Sequence, residues 1–208
     1  FYVYEYAGVD PSNGKPLYNK YLTDDNGNET GAVETTSNIA EATRRQSGKS
    51  AIPDFVGGLS TTVEAYGFDL TIQTAFQLGG YVYDSQYSSL MNSGDAGNNW
   101  HKDIFNRWTP ENRYTDVPRL QEGSLDQSVS GDYSLTSASY LSLRNITLGY
   151  TLPKSWLSKA KIEKLRLYVV GDNMFLVSAR KGFDPRQSFT GSTGYNYSAL
   201  RTISFGIN

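Results

Sequence analysis

Polar and apolar residues alternate along residues 67–85, GFDLTIQTAFQLGGYVYDS. One row is largely apolar and contains Phe68, Leu70, Ile72, Phe76 and Leu78. The other row is mainly polar and contains Asp69, Thr71, Gln73 and Gln77. A period of two places alternate side chains on opposite faces of a β-strand. The stretch therefore predicts one strand of about sixteen residues, well beyond the usual five or six, with an apolar face and a polar face.

Similar alternation predicts further strands. They lie at residues 55–66, 139–152 and 165–177 and in the closing TISFGIN. Residues 1–6 are predicted to be the end of a further strand. In SYLSLRNITLGYTL the apolar phase shifts by one residue at Arg144 and Asn145, which predicts a β-bulge. The sequence AYGF predicts a tight turn that uses Gly67. The pattern gives about six strands.

The connections between these strands alternate in length. Those after Tyr66 and Leu152 are short, whereas those after Tyr6, Asp84 and Val177 are long. In the first long connection, turns at DPSNGK and DDNGNE predict a small hairpin around PLYNKYL; DDNGNE also faintly resembles a calcium loop, but a plain turn is the simpler interpretation. For residues 85–130 we expect an ordered, external loop with a short helix near residues 100–107. Trp100, Phe105 and Trp108 are expected to pack it.

Composition narrows the function classes. The 208 residues carry a formal net charge of −2, no cysteine and a single histidine. The charge does not favour nucleic-acid binding, and the missing cysteines exclude disulfides, thiolate metal sites and cysteine nucleophiles. The chain opens inside an alternating stretch without Met or a signal peptide, so we expect it to be part of a longer polypeptide.

Long strands with short connections at one end are typical of outer-membrane β-barrels. Lipid offers no partners to backbone polar groups, so the strands of such a protein must close into a barrel. Six strands are too few to close, and the others would come from elsewhere in the polypeptide. In this interpretation the Phe68 row faces lipid, and Asp69, Thr71, Gln73 and Gln77 face the lumen. Alternation alone also fits a soluble β-sandwich or a propeller fragment.

Several stretches, in order, resemble one family. They are YAGVDPSNGKPLY, SAIPDFVGGLSTTVEAYGFDLTIQTAFQLGG, RWTPENRYTDVPRL, ASYLSLRNITLGYTLPKSWL, LRLYVVGDNMFLVSARKGFDP and YNYSALRTISFGIN. Together they cover almost the whole chain and resemble the C-terminal part of SusC/RagA-type TonB-linked outer-membrane transporters of Bacteroidota.

The resemblance implies an all-β, up-and-down antiparallel transmembrane barrel of 22 strands with long extracellular loops. Residues 1–208 would form its C-terminal portion, while the plug, the TonB box and the N-terminal domains lie outside this chain. The resemblance also implies a SusD-like surface lipoprotein as partner, contact with TonB through the missing N-terminal region, and import of a glycan, oligosaccharide or peptide. No cofactor and no metal are implied.

Candidate chemistry is sparse. Asp103 and Glu111 lie near His101 in sequence, but nothing places a nucleophile beside them, and an ordinary loop histidine is the simpler interpretation. We therefore predict no enzymatic activity. Aromatic faces and Asn amides suit contact with sugars or a partner, so the candidates for substrate or lid contact are Asn99, Trp100, His101 and Trp108. Loop packing is the alternative for each. The rival functions are a soluble carbohydrate-binding β-sandwich and a glycan-processing enzyme.

Overall fold

The computed structural model describes residues 1–91, 97–121, 131–187, 190–194 and 196–208, and its secondary structure is mainly antiparallel β-sheet. Within those ranges, no helix has both the length and the apolar character needed to cross a membrane. The backbone divides into two compact units. Unit 1 comprises Phe1–Ala51, Val82–Thr136 and Thr190–Tyr195, and unit 2 comprises Ile52–Tyr81, Ser137–Phe189 and Asn196–Asn208.

The strands of the described residues are, in chain order, β1 (Tyr2–Tyr4), β2 (Tyr6–Val9), β3 (Pro16–Thr23), β4 (Glu29–Thr36), β5 (Arg44–Gln46), β6 (Phe55–Ala65), β7 (Phe68–Leu78), β8 (Tyr81–Tyr83), β9 (Leu135–Ser137), β10 (Tyr140–Thr151), β11 (Arg166–Ser178) and β12 (Thr202–Ile207). The α-helices are α1 (Ser85–Met91) and α2 (Lys154–Leu157). Short 3-10 helices occupy Lys102–Asn106, Asp132–Ser134, Ser158–Ala160 and Pro185–Gln187.

Unit 1 contains the predicted hairpin, extended to three strands in the order β2-β3-β4. Its first turn is organised by Asp10, whose carboxylate accepts from the Ser12 amide at 2.8 Å and whose carbonyl accepts from the Gly14 amide at 2.8 Å. Gly14 has a φ of +74°, which suits glycine. The hairpin is confirmed, and the long connection after Tyr6 also contains β4 and β5, which were not predicted. β5 pairs with β1 rather than with the long strands.

The long connection after Asp84 is ordered in its described parts. Asp84 caps α1 by accepting from the Tyr87 amide at 3.0 Å. The predicted short helix appears as the 3-10 helix Lys102–Asn106. The packing residues were only partly anticipated, because Phe105 is 79% exposed and Trp100 is 39% exposed. The core cluster instead contains Met91, Ile104 and Val117, with Tyr87 and Leu120 against it. Residues 92–96 and 122–130 of the predicted loop lie outside the described residues.

Unit 2 is built on a five-stranded antiparallel sheet with the order β12-β11-β10-β7-β6. Each strand pairs with its neighbours along this series, as an up-and-down arrangement requires. Tyr66 and Gly67, with φ of 51° and 86°, form the predicted two-residue turn between β6 and β7. The predicted bulge is confirmed by a register shift between Leu143 and Asn145. The short connections lie at one end of the sheet, where the Thr151 amide donates to the Gly67 carbonyl at 2.7 Å.

Two details of the strand prediction were wrong. β7 has eleven residues rather than sixteen, because Gly79 and Gly80 follow with φ of 74° and 75° and break the extended backbone. The large sheet has five strands rather than six, since residues 1–6 pair elsewhere. The prediction of an all-β fold built from an antiparallel, up-and-down sheet is confirmed, while the total of 22 strands stays a prediction.

The two faces of the large sheet differ in chemistry across all five strands. One register row contains only apolar side chains and runs through Val63, Leu70, Leu148, Val169 and Phe205. The apolar face remains open in the chain: Val63 is 55% exposed, Leu148 45% and Phe205 84%. A soluble sandwich would cover this face with a second layer.

Candidate functional site

The polar face of the sheet contains the four residues predicted to face a lumen. Asp69, Thr71, Gln73 and Gln77 all lie on one side of β7 because they are separated by even intervals. Their register partners on β10 are Gly149, Thr147, Asn145 and Tyr140, in that order. Alternation in the sequence was therefore sufficient to place the four side chains on one face, opposite Leu70 and Ile72.

Asp69 forms an ion pair that crosses a strand. The Arg166 guanidinium on β11 donates from Nε to Asp69 Oδ1 at 2.8 Å and from Nη2 to Asp69 Oδ2 at 2.5 Å. β10 lies between the two partners, and Gly149 occupies the crossing point. A Cβ atom on Gly149 would lie 2.5 Å from Arg166 Nη2. We name this bidentate pair the Asp69–Arg166 clamp. It requires glycine at position 149, because a side chain there would occupy the space of the Arg166 guanidinium.

The other three polar residues of β7 differ in the hydrogen bonds that their side chains form. The hydroxyls of Thr71 and Thr62 lie 3.1 Å apart across the β6–β7 pair. Gln77 donates from Nε2 to the Ala138 carbonyl at 3.2 Å. Gln73 forms no side-chain hydrogen bond within the described ranges and is exposed. Gln73 is thus the predicted lumen residue whose amide is most available for a solute.

Gln73 also lines an open hollow of about 760 Å³ at the bulge. A register row of polar residues crosses the sheet at this level: Ser60, Gln73, Asn145, Asp172 and Thr202. Asn145 donates to Asp172 at 2.8 Å, which orients both side chains. The bulge inserts Arg144 beside this row, and the described residues offer the Arg144 guanidinium no hydrogen bond or ion pair. We name this hollow the bulge hollow.

One wall of the bulge hollow is formed by residues that follow β11 in sequence. A second bidentate ion pair holds this wall in place. Arg186 donates from Nε to Asp184 Oδ1 at 2.8 Å and from Nη2 to Asp184 Oδ2 at 2.7 Å. Asp184 is only 5% exposed. The hydrogen bonds to Asp184 raise the pKa of the Arg186 guanidinium above its ordinary value, so the pair holds a fixed charge arrangement. Arg144, Asp172, Asp184 and Arg186 were not among the site residues predicted from the sequence, although the phase shift at Arg144 marked this level of the sheet.

The four candidates for substrate or lid contact lie in unit 1, in different surroundings. Asn99 is exposed and Trp100 is 39% exposed. His101 instead begins the 3-10 helix: its Nδ1 accepts from the Asp103 amide at 3.2 Å, and its ring packs edge-on against Tyr87 at 4.9 Å. Asp103 Oδ2 lies 3.3 Å from the same nitrogen and accepts from the Tyr87 hydroxyl at 3.1 Å. These contacts account for His101 through loop packing.

Trp108 holds the turn at residues 10–15 in place. Its Nε1 donates to the Pro11 carbonyl at 3.1 Å. Its ring lies so close to Gly14 that a Cβ there would approach Cδ2 to 2.6 Å. Arg119 supports the same turn from Nη1 through the Asn13 carbonyl at 2.9 Å. Trp108 therefore packs within unit 1, and Asn99 and Trp100 are the more available of the four candidates.

Replacing Trp108 by Ala should loosen this turn. Loss of a half-buried indole is expected to cost about 2 kcal/mol, whereas Trp108→Phe keeps a ring against Gly14 and loses one hydrogen bond, at about 1 kcal/mol. Hydrogen exchange of the Gly14 amide, measured in the full-length protein, should accelerate in the order wild type, Phe variant, Ala variant. Unchanged exchange in Trp108→Ala would contradict an anchoring role.

Comparisons with known proteins agree on one kind of protein. No protein-family model matches the chain. The chain is 29% identical over its full length to TonB-dependent receptor P3 of Formosa agariphila, and covers 22% of that protein. It is 28% identical over its full length to TonB-dependent receptor SusC of Bacteroides thetaiotaomicron, and covers 19% of it. The chain thus spans about a fifth of the length of these curated relatives.

Solved structures give the same result. The whole chain superposes on 22% of a chain of the RagAB peptide importer in its closed-closed state, with a TM-score of 0.78 and 30% identity. For the structure of the RagAB peptide transporter the TM-score is 0.77 and the identity 31%. Because sequence and fold match over the full length, the chain is a segment of the SusC/RagA type of TonB-dependent transporter.

Proposed function

We propose that the protein containing this segment takes up a bulky nutrient across the outer membrane in a TonB-dependent manner and does not transform it. Residues 1–208 form the C-terminal portion of its barrel, and the plug, the TonB-contacting region and the remaining strands belong to other parts of the same polypeptide. The nutrient is a glycan, an oligosaccharide or a peptide. A SusD-like surface lipoprotein acts with the barrel at its external face.

The observation that carries this proposal is the chemistry of the five-stranded sheet. Its apolar face is open across all strands, and Leu148 in the central strand is 45% exposed. Lipid suits such a face, whereas water does not. The opposite face carries the Asp69–Arg166 clamp and the bulge hollow, which suit an aqueous lumen. A soluble carbohydrate-binding sandwich is less favoured because it would cover the apolar face with a second sheet, whereas Val63, Leu148 and Phe205 on this face are exposed.

The bulge hollow offers contacts for a polar solute. Gln73 contributes an amide with both donor and acceptor atoms, and Arg144 contributes a guanidinium for carbonyl, carboxylate or hydroxyl oxygens. The Asp184–Arg186 pair and the Asn145–Asp172 bond hold the surrounding walls in a fixed geometry. At the external face, Asn99 and Trp100 are proposed to contact the substrate or the lipoprotein lid. His101 and Trp108 would then support them from within the loop.

Uptake in cells tests the proposal. Deleting the gene should abolish growth on one class of glycan or peptide while surface cleavage of that nutrient continues. The purified full-length protein should turn over no glycan or peptide. Growth that is unaffected on every nutrient class, or turnover by the purified protein, would contradict it.

Complementation with variants then tests the two contact regions. Arg144→Ala in the hollow and the Asn99→Ala/Trp100→Ala pair in the loop should each lower uptake, by up to about tenfold for a lost contact of about 1 kcal/mol or slightly more. Phe105→Ala is a matched control, since Phe105 is an exposed loop aromatic outside the candidate set. Equal uptake by all variants, at equal surface abundance, would remove both regions from the transport path.

A further inference from the structure

The connection between β10 and β11 is strongly basic. Residues 153–164, PKSWLSKAKIEK, contain Lys154, Lys159, Lys161 and Lys164 against one acidic residue, Glu163. The connection folds into α2 and the 3-10 helix Ser158–Ala160, and the Leu152 amide donates to the Leu165 carbonyl at 2.9 Å across its base. It is therefore a compact structure with concentrated positive charge.

Three of these lysines are uncommitted. Lys154, Lys159 and Lys161 are exposed, and their ammonium groups form no hydrogen bond or ion pair with any part of the chain that the structure describes. Lys164 differs, because it lines a hollow beside Asp69 and Arg166. An ordinary solvated surface would explain lysines alone, but the same connection also exposes large apolar side chains.

The exposed apolar residues of the connection are Trp156 and Ile162. Trp156 is 66% exposed and Ile162 is 43% exposed, whereas Leu157, which lies between them in sequence, is buried and only 5% exposed. Leu157 thus provides the packing for the connection, and the indole of Trp156 remains available to an outside partner. An indole beside uncommitted ammonium groups presents both an apolar and a cationic contact.

The position of the connection on the sheet adds a third observation. Phe68 and Tyr150 belong to the last apolar register row before the short connections, and their ring centroids lie 4.4 Å apart. Tyr66, in the neighbouring turn, is 99% exposed. Along the strands, the apolar face therefore ends in aromatic rings and is followed by lysines. Aromatic and basic residues occupy these positions where a membrane surface meets water.

We infer that residues 153–162 bind the anionic head groups of phospholipids in the leaflet on the side of the short connections. Lys154, Lys159 and Lys161 contact the phosphates, and Trp156 inserts beside them at the level of the head groups. The inference rests on the proposed placement of the apolar face against lipid. Phospholipid is the partner that fits best because it supplies negative charge and an apolar layer at the same border.

The test uses the full-length protein in nanodiscs of phosphatidylcholine with or without phosphatidylglycerol. Native mass spectrometry measures how strongly phosphatidylglycerol is retained relative to phosphatidylcholine. The variant K154Q/K159Q/K161Q removes three charges from the connection. The control K15Q/K102Q/K181Q removes three exposed lysines elsewhere. Each lysine near an anionic surface contributes about fivefold to binding, so the first variant should lose about two orders of magnitude of preference at low salt.

Position is measured separately through Trp156. In nanodiscs with brominated phospholipid, the variant W156F should lose part of the tryptophan quenching seen in the wild type. Equal retention of both lipids by the wild type, equal loss in the two lysine variants, or unchanged quenching in W156F would each overturn the inference. If the full-length protein folds only without lipid and does not enter nanodiscs, the proposed placement of the apolar face against lipid is overturned as well. The two failures are therefore distinguished by whether the protein enters the bilayer.

Discussion

Leu148→Lys should destabilise the full-length protein in lipid, whereas Thr147→Lys should be tolerated. Leu148 lies in the central strand of the sheet within the all-apolar row. A lysine on the lipid face costs about 2–4 kcal/mol at the middle of the bilayer and about 0–1 kcal/mol near its border. Leu148 lies one same-face position inside the row of Phe68 and Tyr150, so its cost should fall between these two values. Thr147 is the preceding residue and faces the other way, in a row with Thr62, Thr71, Val170 and Ser204, on the face where water is available to the new ammonium group.

The measurement is denaturant unfolding of the protein after refolding into lipid vesicles, together with the amount that reaches the outer membrane in cells. The two variants place the same side chain at adjacent positions on opposite faces of the strand. Their difference in stability therefore reports whether each face contacts lipid or water. Since Leu148 is 45% exposed, a lysine at this position would cost little if the apolar face of the sheet contacted water. Equal stability of the two variants would therefore refute a lipid-facing role.

Gly149→Ala should destabilise the protein even though its backbone conformation favours alanine. Gly149 has no positive φ, so the change should stabilise the strand by about 0.5–1 kcal/mol on conformational grounds alone. The new methyl group would, however, lie 2.5 Å from Arg166 Nη2. Opening the Asp69–Arg166 clamp or displacing the strand is expected to cost about 1–3 kcal/mol.

A double-mutant cycle isolates the clamp. In a protein that already carries Asp69→Ala and Arg166→Ala, the Gly149→Ala change no longer meets the three nearest side-chain atoms, which belong to Asp69 and Arg166, and should be neutral or stabilising. Unfolding in lipid vesicles by denaturant gives both values. If Gly149→Ala costs the same with and without the clamp, the cost comes from the backbone and the close approach has no energetic consequence.

The main elements of unit 2 follow from local pattern. The alternation in β6, β7, β10, β11 and β12 determines which side chains share a face, because a strand allows only two directions. The glycine at position 67 and the phase shift at Arg144 are equally local, and the turn and the bulge were both predicted from them. The placement of Asp69, Thr71, Gln73 and Gln77 on one polar face needed no tertiary information.

Unit 1 was less predictable because its order depends on contacts distant in sequence. Trp108 and the turn at residues 10–15 are almost a hundred residues apart, and the sequence gives no sign that the indole donates to Pro11. The packing role expected of Trp100 and Phe105 passes to Met91, Ile104 and Val117. Aromatic content predicts that a loop packs, but only the path of the backbone decides which side chains are buried.

The amino-acid sequence by itself determined the strands, their two-faced character, the bulge and the resemblance to a family, since these depend on periodicity and on short motifs. Only the tertiary structure decided that β7 ends at Leu78, that Asp69 reaches Arg166 across Gly149, and that Arg144, Asp172 and Arg186 line one hollow with Gln73. Strand register sets which residues of different strands meet, and register arises from pairing along the whole sheet, which a single strand's sequence does not contain.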